Sequence, residues 1–320
     1  MCLRAFAANK KMKEIKIFSP ATIANLSCGF DVLGLCLDNI GDEMIVRKSD
    51  EKGVRITKIV GANLPLEAEK NVAGVAALAM LEQWETDFGF DIEIYKNIKA
   101  GSGIGSSAAS AAGAVFGINE LLGRPFDTKN LIPFAMRGEK LASGSAHADN
   151  VAPALLGGFT LVRSYSPLDV IRIESPTELY ATVIHPQIEL KTEDARSILK
   201  QNVSLKSAIT QWGNVGGLVA GLYTNDYDLI GRSLHDDIVE PLRSVLIPGF
   251  AAIKNTAMQS GALGSGISGS GPSIFALSRG ENTAQKVATA MSEVYSQMNL
   301  PFEIHVSAIN PNGIKILSSQ

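Results

Sequence analysis

The chain has 320 residues, 46% of them hydrophobic, and its 29 Lys and Arg against 32 Asp and Glu give a net charge of −3. This length suggests about two domains with sizeable cores. The absence of a basic run argues against a nucleic-acid or anionic membrane surface, and no segment reaches the roughly 18 apolar residues of a membrane span. The cysteines Cys2, Cys28 and Cys36 build no disulfide framework. We therefore expect a cytoplasmic globular protein whose partner is a small molecule.

The N-terminal segment is basic and lacks the apolar run of a signal peptide. A strand-like alternation starts only near Met12, so residues 1–11 are expected to be a loose extension. Ile15 and Ile17 alternate with charged residues and predict the first strand, which leads into a small-residue loop over residues 25–31.

A strand, a glycine loop and a helix are predicted next. Residues 70–85 are rich in Ala, Leu and Met and predict a helix, whereas residues 90–98 alternate and predict a half-buried strand. The stretch AGSGIGSSAASAAG, residues 100–113, follows this strand. Serines and helix formers from Ser106 to Leu122 predict a helix, so the glycine loop should lie at a helix N-terminus.

The remaining elements mix helices and strands. We expect helices over residues 130–145, 247–262 and 282–298, and strands near Phe159 and over residues 178–186 and 302–310. The turn at residues 311–313 predicts a hairpin between the last strand and residues 314–317. The mixture favours an α+β second domain, with domains over residues 12–168 and 169–320.

The glycine loop itself predicts an anion site. Glycines let successive backbone N–H groups converge, and the helix behind them adds the positive end of its dipole, which suits phosphate. A Walker loop is excluded because no lysine follows Gly105, and a dinucleotide fingerprint is weakened because Ser106 stands at its third glycine. The alternative is that the small residues only allow close helix packing.

The string KAGSGIGSSAASAAG resembles the central motif of the GHMP kinases, which reads Pro, three spacers, Gly-Leu-Gly-Ser-Ser-Ala. Lys99 stands at the usual proline and Ile104 at the usual leucine. Losing the proline removes a rigid φ from the loop entrance. Residues 19–35 and 261–277 are similar to the N-terminal substrate motif and the C-terminal glycine motif of the superfamily. The resemblance implies a two-domain α+β GHMP-kinase fold with the active site in the cleft between domains.

Four further stretches, residues 24–31, 138–159, 190–196 and 240–250, are similar to signatures of the superfamily members that act on L-homoserine. This resemblance implies transfer of the γ-phosphoryl group of ATP to the side-chain hydroxyl of L-homoserine, a step of threonine biosynthesis, with Mg²⁺ as the metal. Mevalonate or shikimate as the alcohol, and a non-catalytic ligand sensor on the same fold, stay open as alternatives. A homodimer is possible.

The resemblance also implies the nucleotide and metal site. Ser107 and Glu139 would hold Mg²⁺, a metal that takes few protein oxygens and fills its shell with phosphate and water. A surface acid is the alternative for Glu139. The residues expected to contact ATP, with adenine near the first two, are Asn71, Lys96, Lys99, Ala100, Gly101, Ser102, Gly103, Ile104, Gly105, Ser106, Ser107, Ala108 and Ala109.

The expected substrate site is charged because homoserine is a zwitterion. By resemblance Asn25 and Asp31 take the ammonium group, and Arg196 and Arg243 take the carboxylate, for which the planar guanidinium fork is suited. Thr192 would assist and His147 would line the site. A turn carboxylate is the alternative for Asp31, and a solvated helix residue is the alternative for either arginine.

The segment HADN, residues 147–150, is the last candidate for a metal-binding or catalytic role. Its single histidine falls short of a zinc set, and no Ser/His/Asp arrangement accompanies it. Several other GHMP kinases place an aspartate base where this chain has Asn150. With Asn150, Ser107 and Glu139 as catalytic residues, we expect direct in-line attack by the substrate hydroxyl without a strong base.

Overall fold

A computed structural model of the chain describes residues 12–188, 190 and 192–320, without the side chains of residues 192 and 193. The extension predicted over residues 1–11 lies outside the described residues. The described strands and helices are, in chain order, β1 (Glu14–Ala24), β2 (Leu33–Ser49), β3 (Val54–Val60), α1 (Val72–Leu81), β4 (Gly89–Tyr95), α2 (Ser106–Leu121), α3 (Ile132–Ser143), α4 (Val151–Leu156), β5 (Phe159–Tyr165), β6 (Leu168–Ile173), β7 (Leu179–Pro186), α5 (Thr192–Ser197), α6 (Leu205–Thr224), α7 (Tyr227–Ser233), α8 (Glu240–Arg243), α9 (Phe250–Gln259), β8 (Gly264–Ile267), β9 (Ile274–Arg279), α10 (Glu281–Gln297), β10 (Phe302–Ala308) and β11 (Lys315–Ser319).

The first sheet contains seven of the described strands. Its order is β11-β1-β2-β4-β3, with β5 paired to β2 and β6 paired to β5, and β3 and β4 are its parallel pair. In β1, Ile15 and Ile17 are fully buried and Glu14 and Lys16 are not, as the alternation predicts. Helices α1 to α4 cover one face and form the first core with the sheet.

The second sheet has the order β10-β7-β9-β8 and is antiparallel. Helices α9 and α10 pack on it through a core that includes Ile253 and Met291. A third apolar cluster joins the two sheets, because it contains Leu35 of the first sheet, Phe275 of the second and Leu218 of α6. The α+β fold class is therefore confirmed, and one continuous packing arrangement sets the position of the two sheets relative to each other.

Helix α2 is buried along nearly its whole length. A Cβ atom added at Gly113 would lie 2.4 Å from the sulfur of Met44, and one at Gly117 would lie 2.6 Å from a methyl carbon of Val46. Small residues therefore bring α2 directly onto β2. Close packing and an anion-binding N-terminus are compatible functions of the same small-residue stretch.

The prediction of a hairpin between the last two strands is wrong. Strand β10 pairs with β7 of the second sheet, whereas β11 pairs with β1 of the first, with Ile15 opposite Ser319. The segment between these strands is attached to the first sheet and to the loop before β5. The Asn310 N–H donates to the Cys36 carbonyl at 2.9 Å, and the Gly158 N–H donates to the Asn310 carbonyl at 2.7 Å. These contacts direct the chain back to the first sheet.

The predicted division at residue 168 falls at the start of β6, which lies in the first sheet together with β11. The two sheets thus do not split the chain into two continuous halves. In the part of the chain that the structure describes, none of the helices combines the length and the apolarity needed to cross a membrane.

Candidate active site

The glycine loop connects β4 to α2 and has the geometry of an anion seat. Gly101, Gly103 and Gly105 have φ of +75°, +82° and +72°. A Cβ atom would lie 2.5 Å from the carbonyl oxygen of Gly271 if added at Gly103, and 2.1 Å from the hydroxyl of Thr22 if added at Gly105. Glycine is therefore required at both positions. None of the described side chains caps the first turn of α2, which leaves its N–H groups for a ligand.

A second glycine loop, residues 268–271, braces the first. The Ser268 hydroxyl donates to the Gly103 carbonyl at 2.7 Å. The Gly269 carbonyl accepts from the Asn25 side-chain amide at 2.7 Å and from the Arg243 guanidinium at 3.2 Å. One short loop thus contacts the phosphate seat, the loop after β1 and a buried arginine of α8.

Ser107 and Glu139 meet at the helix N-terminus, as the sequence predicts. The Ser107 hydroxyl donates to the Glu139 carboxylate at 2.7 Å, and both residues line the cavity in front of the loop. Burial raises the pKa of Glu139 to about 7, and the hydrogen bond from Ser107 opposes that rise. Among the described residues, no cluster of three or more His, Cys, Asp and Glu side chains could hold a metal. The oxygen pair is consistent with Mg²⁺, which needs one or two protein ligands when phosphates supply others.

Asp31 and Arg196 form a two-pronged ion pair. The Arg196 guanidinium donates to the two Asp31 carboxylate oxygens at 3.1 and 3.0 Å, and His147 Nδ1 lies 3.7 Å from the same carboxylate. The side chains expected to take opposite ends of the substrate therefore neutralise each other here. The Tyr165 hydroxyl donates to the Asp31 carbonyl at 2.7 Å and fixes the loop.

Arg243 is buried beside this pair. Its Nε donates to the Ala195 carbonyl at 2.8 Å. The guanidinium groups of Arg243 and Arg196 lie 5.1 and 5.4 Å from the ring centre of Phe30, one aromatic contact for both. Burial, and next the charge of Arg196, lower the pKa of Arg243 to about 10. The group stays cationic at neutral pH and is held ready for an anion.

The HADN segment brings a second buried carboxylate to the cavity. The Asn150 side-chain oxygen accepts from the Thr22 hydroxyl at 2.7 Å. Burial, and next the charges of Asp31 and Glu139, raise the pKa of Asp149 to about 7, a rise that the Asn150 N–H opposes by donating to the carboxylate at 3.0 Å. A pKa near neutrality lies in the range suited to a general base, so kinetics with a variant of Asp149 must test this role.

A single cavity of about 820 Å³ brings these groups together. The predicted residues that line it are Asn25, Asp31, Lys96, Lys99, Ala100, Gly101, Gly103, Gly105, Ser106, Ser107, Glu139, His147, Asn150, Arg196 and Arg243. The lining residues lie in loops and helices from both parts of the fold, so the cavity is a cleft between these parts. The side chain of Thr192 lies outside the described residues.

Five residues of the predicted nucleotide set do not line the cavity: Asn71, Ser102, Ile104, Ala108 and Ala109. The side chain of Asn71 caps α1, accepting from the Ala73 N–H at 3.0 Å, and its neighbour Val72 lines the cavity instead. Ala108 and Ala109 are buried by the packing of α2.

Sequence reasoning missed several residues of the site, among them Phe30, Asp42, Tyr165 and Ser268. Phe30 could have been predicted, because an aromatic residue is unusual in a loop of small residues. Asp42 is fully buried, but β2 also contains the charged residues Asp38, Glu43, Arg47 and Lys48, so its sequence gives no signal that Asp42 lies inside. Tyr165 and Ser268 act through contacts to residues more than 100 positions away, which leave no local pattern.

The chain matches two family models, the GHMP kinases N terminal domain over residues 71–158 and the GHMP kinases C terminal over residues 218–297. It is 48% identical to the homoserine kinase of Chlorobium phaeobacteroides, across 96% of this chain and all of that one. The crystal structure of homoserine kinase from Cytophaga hutchinsonii superposes with a TM-score of 0.92 and 54% identity, covering 99% of this chain and all of the other.

The crystal structure of L. major mevalonate kinase in complex with R-mevalonate superposes with a TM-score of 0.69 at 15% identity, covering 92% of this chain and 96% of the other. This likeness concerns the fold alone. The two family models and the full-length relatives show more than a shared fold. The chain belongs to the GHMP kinases and, within them, to the homoserine kinase family.

Proposed function

We propose that the protein transfers the γ-phosphoryl group of ATP to the side-chain hydroxyl of L-homoserine, forming O-phospho-L-homoserine and ADP for threonine biosynthesis. The observation that carries this proposal is the placement of Asp31, Arg196 and Arg243 in the same cavity as the glycine loop. An acid and two arginines complement an amino-acid zwitterion. Mevalonate and shikimate carry no ammonium group that could replace Arg196 beside Asp31.

Substrate binding would exchange partners within this charged group. The ammonium of homoserine takes the place of Arg196 beside Asp31, while its carboxylate receives the guanidinium groups of Arg196 and Arg243. Asp31 and Arg196 are then paired both before and after binding, and Arg243 gains a carboxylate partner, which limits the cost of desolvating the site. The aromatic ring of Phe30 keeps the two arginines side by side despite their like charge.

Phosphoryl transfer depends on how the protein positions the substrate hydroxyl and the phosphates of ATP. The hydroxyl oxygen of homoserine forms a bond to the γ-phosphorus, the bond from that phosphorus to the β-phosphate oxygen breaks, and ADP leaves with the electron pair. The backbone N–H groups of residues 103–107 hold phosphate oxygens at the helix N-terminus. Ser107 and Glu139 would hold Mg²⁺, which supplies neutralising charge to the phosphates when bound.

The proton of the substrate hydroxyl passes to an oxygen of the transferred phosphoryl group as the new bond forms, and it needs no dedicated strong base because phosphoryl transfer passes through a loose transition state. Asn150 would orient the hydroxyl, since its side-chain oxygen is itself fixed by Thr22. We therefore expect Asp149→Asn to lower kcat by less than about 10²-fold, below the range in which a positioned general base contributes. Steady-state kinetics with both substrates test this. A loss of about 10⁴-fold at an unchanged KM for homoserine would show that Asp149 is the base.

The function is tested by ATP-dependent ADP release with L-homoserine, mevalonate, shikimate and galactose side by side. We expect release with homoserine and little with the three alcohols that lack an ammonium group. Turnover of mevalonate or shikimate in preference to homoserine would contradict the substrate. ATP binding without release for any alcohol would support a ligand sensor instead, although Ser107 and Glu139 argue against that function.

A further inference from the structure

A buried ion pair lies directly behind the glycine loop. Asp42 is in the middle of β2 and Lys96 follows the end of β4, and their side chains are 0% and 2% exposed. The Lys96 ammonium donates to the Asp42 carboxylate, to the Ser106 carbonyl at 2.9 Å and to the Ser110 hydroxyl at 3.1 Å. These partners occupy the donors of an ammonium group that was expected to contact the nucleotide.

The Asp42 carboxylate holds the entrance of the loop. One of its oxygens accepts from the backbone N–H groups of Asn97 and Ile98, at 2.8 and 2.9 Å. The Asn97 side chain donates in turn to the Gly41 carbonyl at 3.2 Å, beside Asp42 in the strand. Lys99 stands where the motif that this loop resembles has a proline, so the ring that would restrict φ is absent here. The carboxylate therefore supplies a constraint on the backbone that the missing ring would otherwise give.

The Lys96 ammonium holds the exit of the loop. Its contacts to Ser106 and Ser110 lie in the first turns of α2, where the N–H groups face the cavity. The Ser106 hydroxyl closes the arrangement by donating to the Ile98 carbonyl at 2.9 Å. One ion pair thus joins the two ends of the loop and anchors both to the central sheet.

We propose that Asp42 and Lys96 are positioning residues for phosphoryl transfer, which set the spacing between loop entrance and helix N-terminus and so aim the backbone N–H groups at the phosphates. The proposal rests on the proposed function only in that ATP is the ligand of this loop. A displacement of about 1 Å in a catalytic arrangement costs on the order of 10²-fold in rate. Neither side chain needs to touch substrate for this effect.

Variants that remove one or both charges can separate an effect on loop positioning from an effect on the stability of the fold. Removing one partner of a buried pair leaves an unpaired charge and destabilises the fold strongly, whereas removing both charges is often nearly neutral. Asp42→Asn and Lys96→Met as single variants are therefore expected to lower Tm by about 10 °C. The double variant D42N/K96M should recover most of this loss, because neither charge is left unpaired.

The decisive measurement is ATP affinity of the double variant by calorimetry with Mg²⁺ and without homoserine, alongside KM for both substrates. We expect ATP to bind about 10- to 100-fold more weakly at a nearly restored Tm, with little change in KM for homoserine. Because this readout does not need turnover, it distinguishes failure of the proposal from failure of the homoserine assignment. Ile253→Ala, in the core under α9, is the matched control, since it lowers stability far from the loop and should keep the parent ATP affinity.

Ser110→Ala gives a milder test that keeps the ion pair and removes one contact of Lys96. We expect a smaller loss of ATP affinity in the same direction. The proposal is overturned if D42N/K96M, or S110A where the double variant does not fold, binds ATP as tightly as the parent protein. It is also overturned if the KM values for ATP and homoserine rise together, because that pattern indicates general loosening of the fold.

Discussion

Exchanging Glu139 for glutamine is expected to lower kcat/KM for ATP about 10²- to 10³-fold, the cost of losing one charged group from the phosphate site. Glutamine keeps an oxygen that can accept the hydrogen bond from Ser107, so the fold should be retained. The Mg²⁺ concentration that gives half-maximal activity should rise, and KM for homoserine should change little. Activity measured across a Mg²⁺ titration checks the result.

Glu120→Gln is the matched control for this variant. Glu120 is also a buried acid, but it lies in α2 away from the cavity and its carboxylate accepts from Arg124 at 2.9 Å. We expect E120Q to retain parent activity and Mg²⁺ dependence. If E139Q behaved like E120Q, the assignment of Glu139 to the metal would be contradicted.

The pH dependence of the metal site follows from the raised pKa of Glu139, which burial places at about 7. Only the ionised carboxylate binds a cation, and protons compete with it below the pKa. Mg²⁺ affinity should therefore rise as pH increases through about 7 and weaken as pH falls. In E139Q this dependence should shrink, because the titrating carboxylate has been removed. Mg²⁺ titrations about one pH unit below and above the pKa test the sign.

Replacing Arg243 with lysine is expected to lower kcat/KM for homoserine about 10²- to 10³-fold, because lysine keeps the charge and loses the planar fork. ATP affinity should stay at the parent value. The parent enzyme should select homoserine over 3-aminopropan-1-ol, which lacks the carboxylate, and R243K should lose much of that selectivity. The ratio of kcat/KM for the two alcohols measures carboxylate recognition directly.

The opposite end of the substrate provides a cross-check. Asp31→Asn should reduce selection against 4-hydroxybutanoate, which lacks the ammonium, and leave selection against 3-aminopropan-1-ol largely intact. Arg279→Lys is the control, because Arg279 is an exposed arginine that pairs with Glu178. Equal loss of both selectivities in R243K and D31N would contradict the separate roles given to these side chains.

Local pattern predicted the elements that position the phosphates. The alternation of residues 90–98 and the small residues after Ser106 gave the strand and helix that flank the glycine loop, close to the observed β4 and α2. Local pattern also misled, because the turn chemistry at residues 311–313 is the same whether the next strand folds back or joins another sheet. Partner choice was decided by contacts to Gly158 and Cys36, far away in sequence.

The candidate site could be predicted mainly through the resemblance to the GHMP-kinase motifs. That resemblance selected Asp31, Glu139 and the two arginines, each of which has an ordinary structural alternative when considered alone, and their roles stay predictions. Side chains that hold other residues of the site in place could not be predicted in this way. Examples are Thr22, which donates to Asn150, and Asp42, which pairs with Lys96. Their partners lie 128 and 54 positions away, and such pairings follow from the topology of the sheets.

The position of β11 beside β1 has a consequence for how the polypeptide matures. During translation β1 is synthesised long before its outer neighbour, which consists of residues 315–319. A nascent chain therefore has one unpaired strand edge until β11 has been made. Termination shortly before this segment would leave that edge unpaired while keeping the residues of the candidate active site, and an unpaired edge favours aggregation.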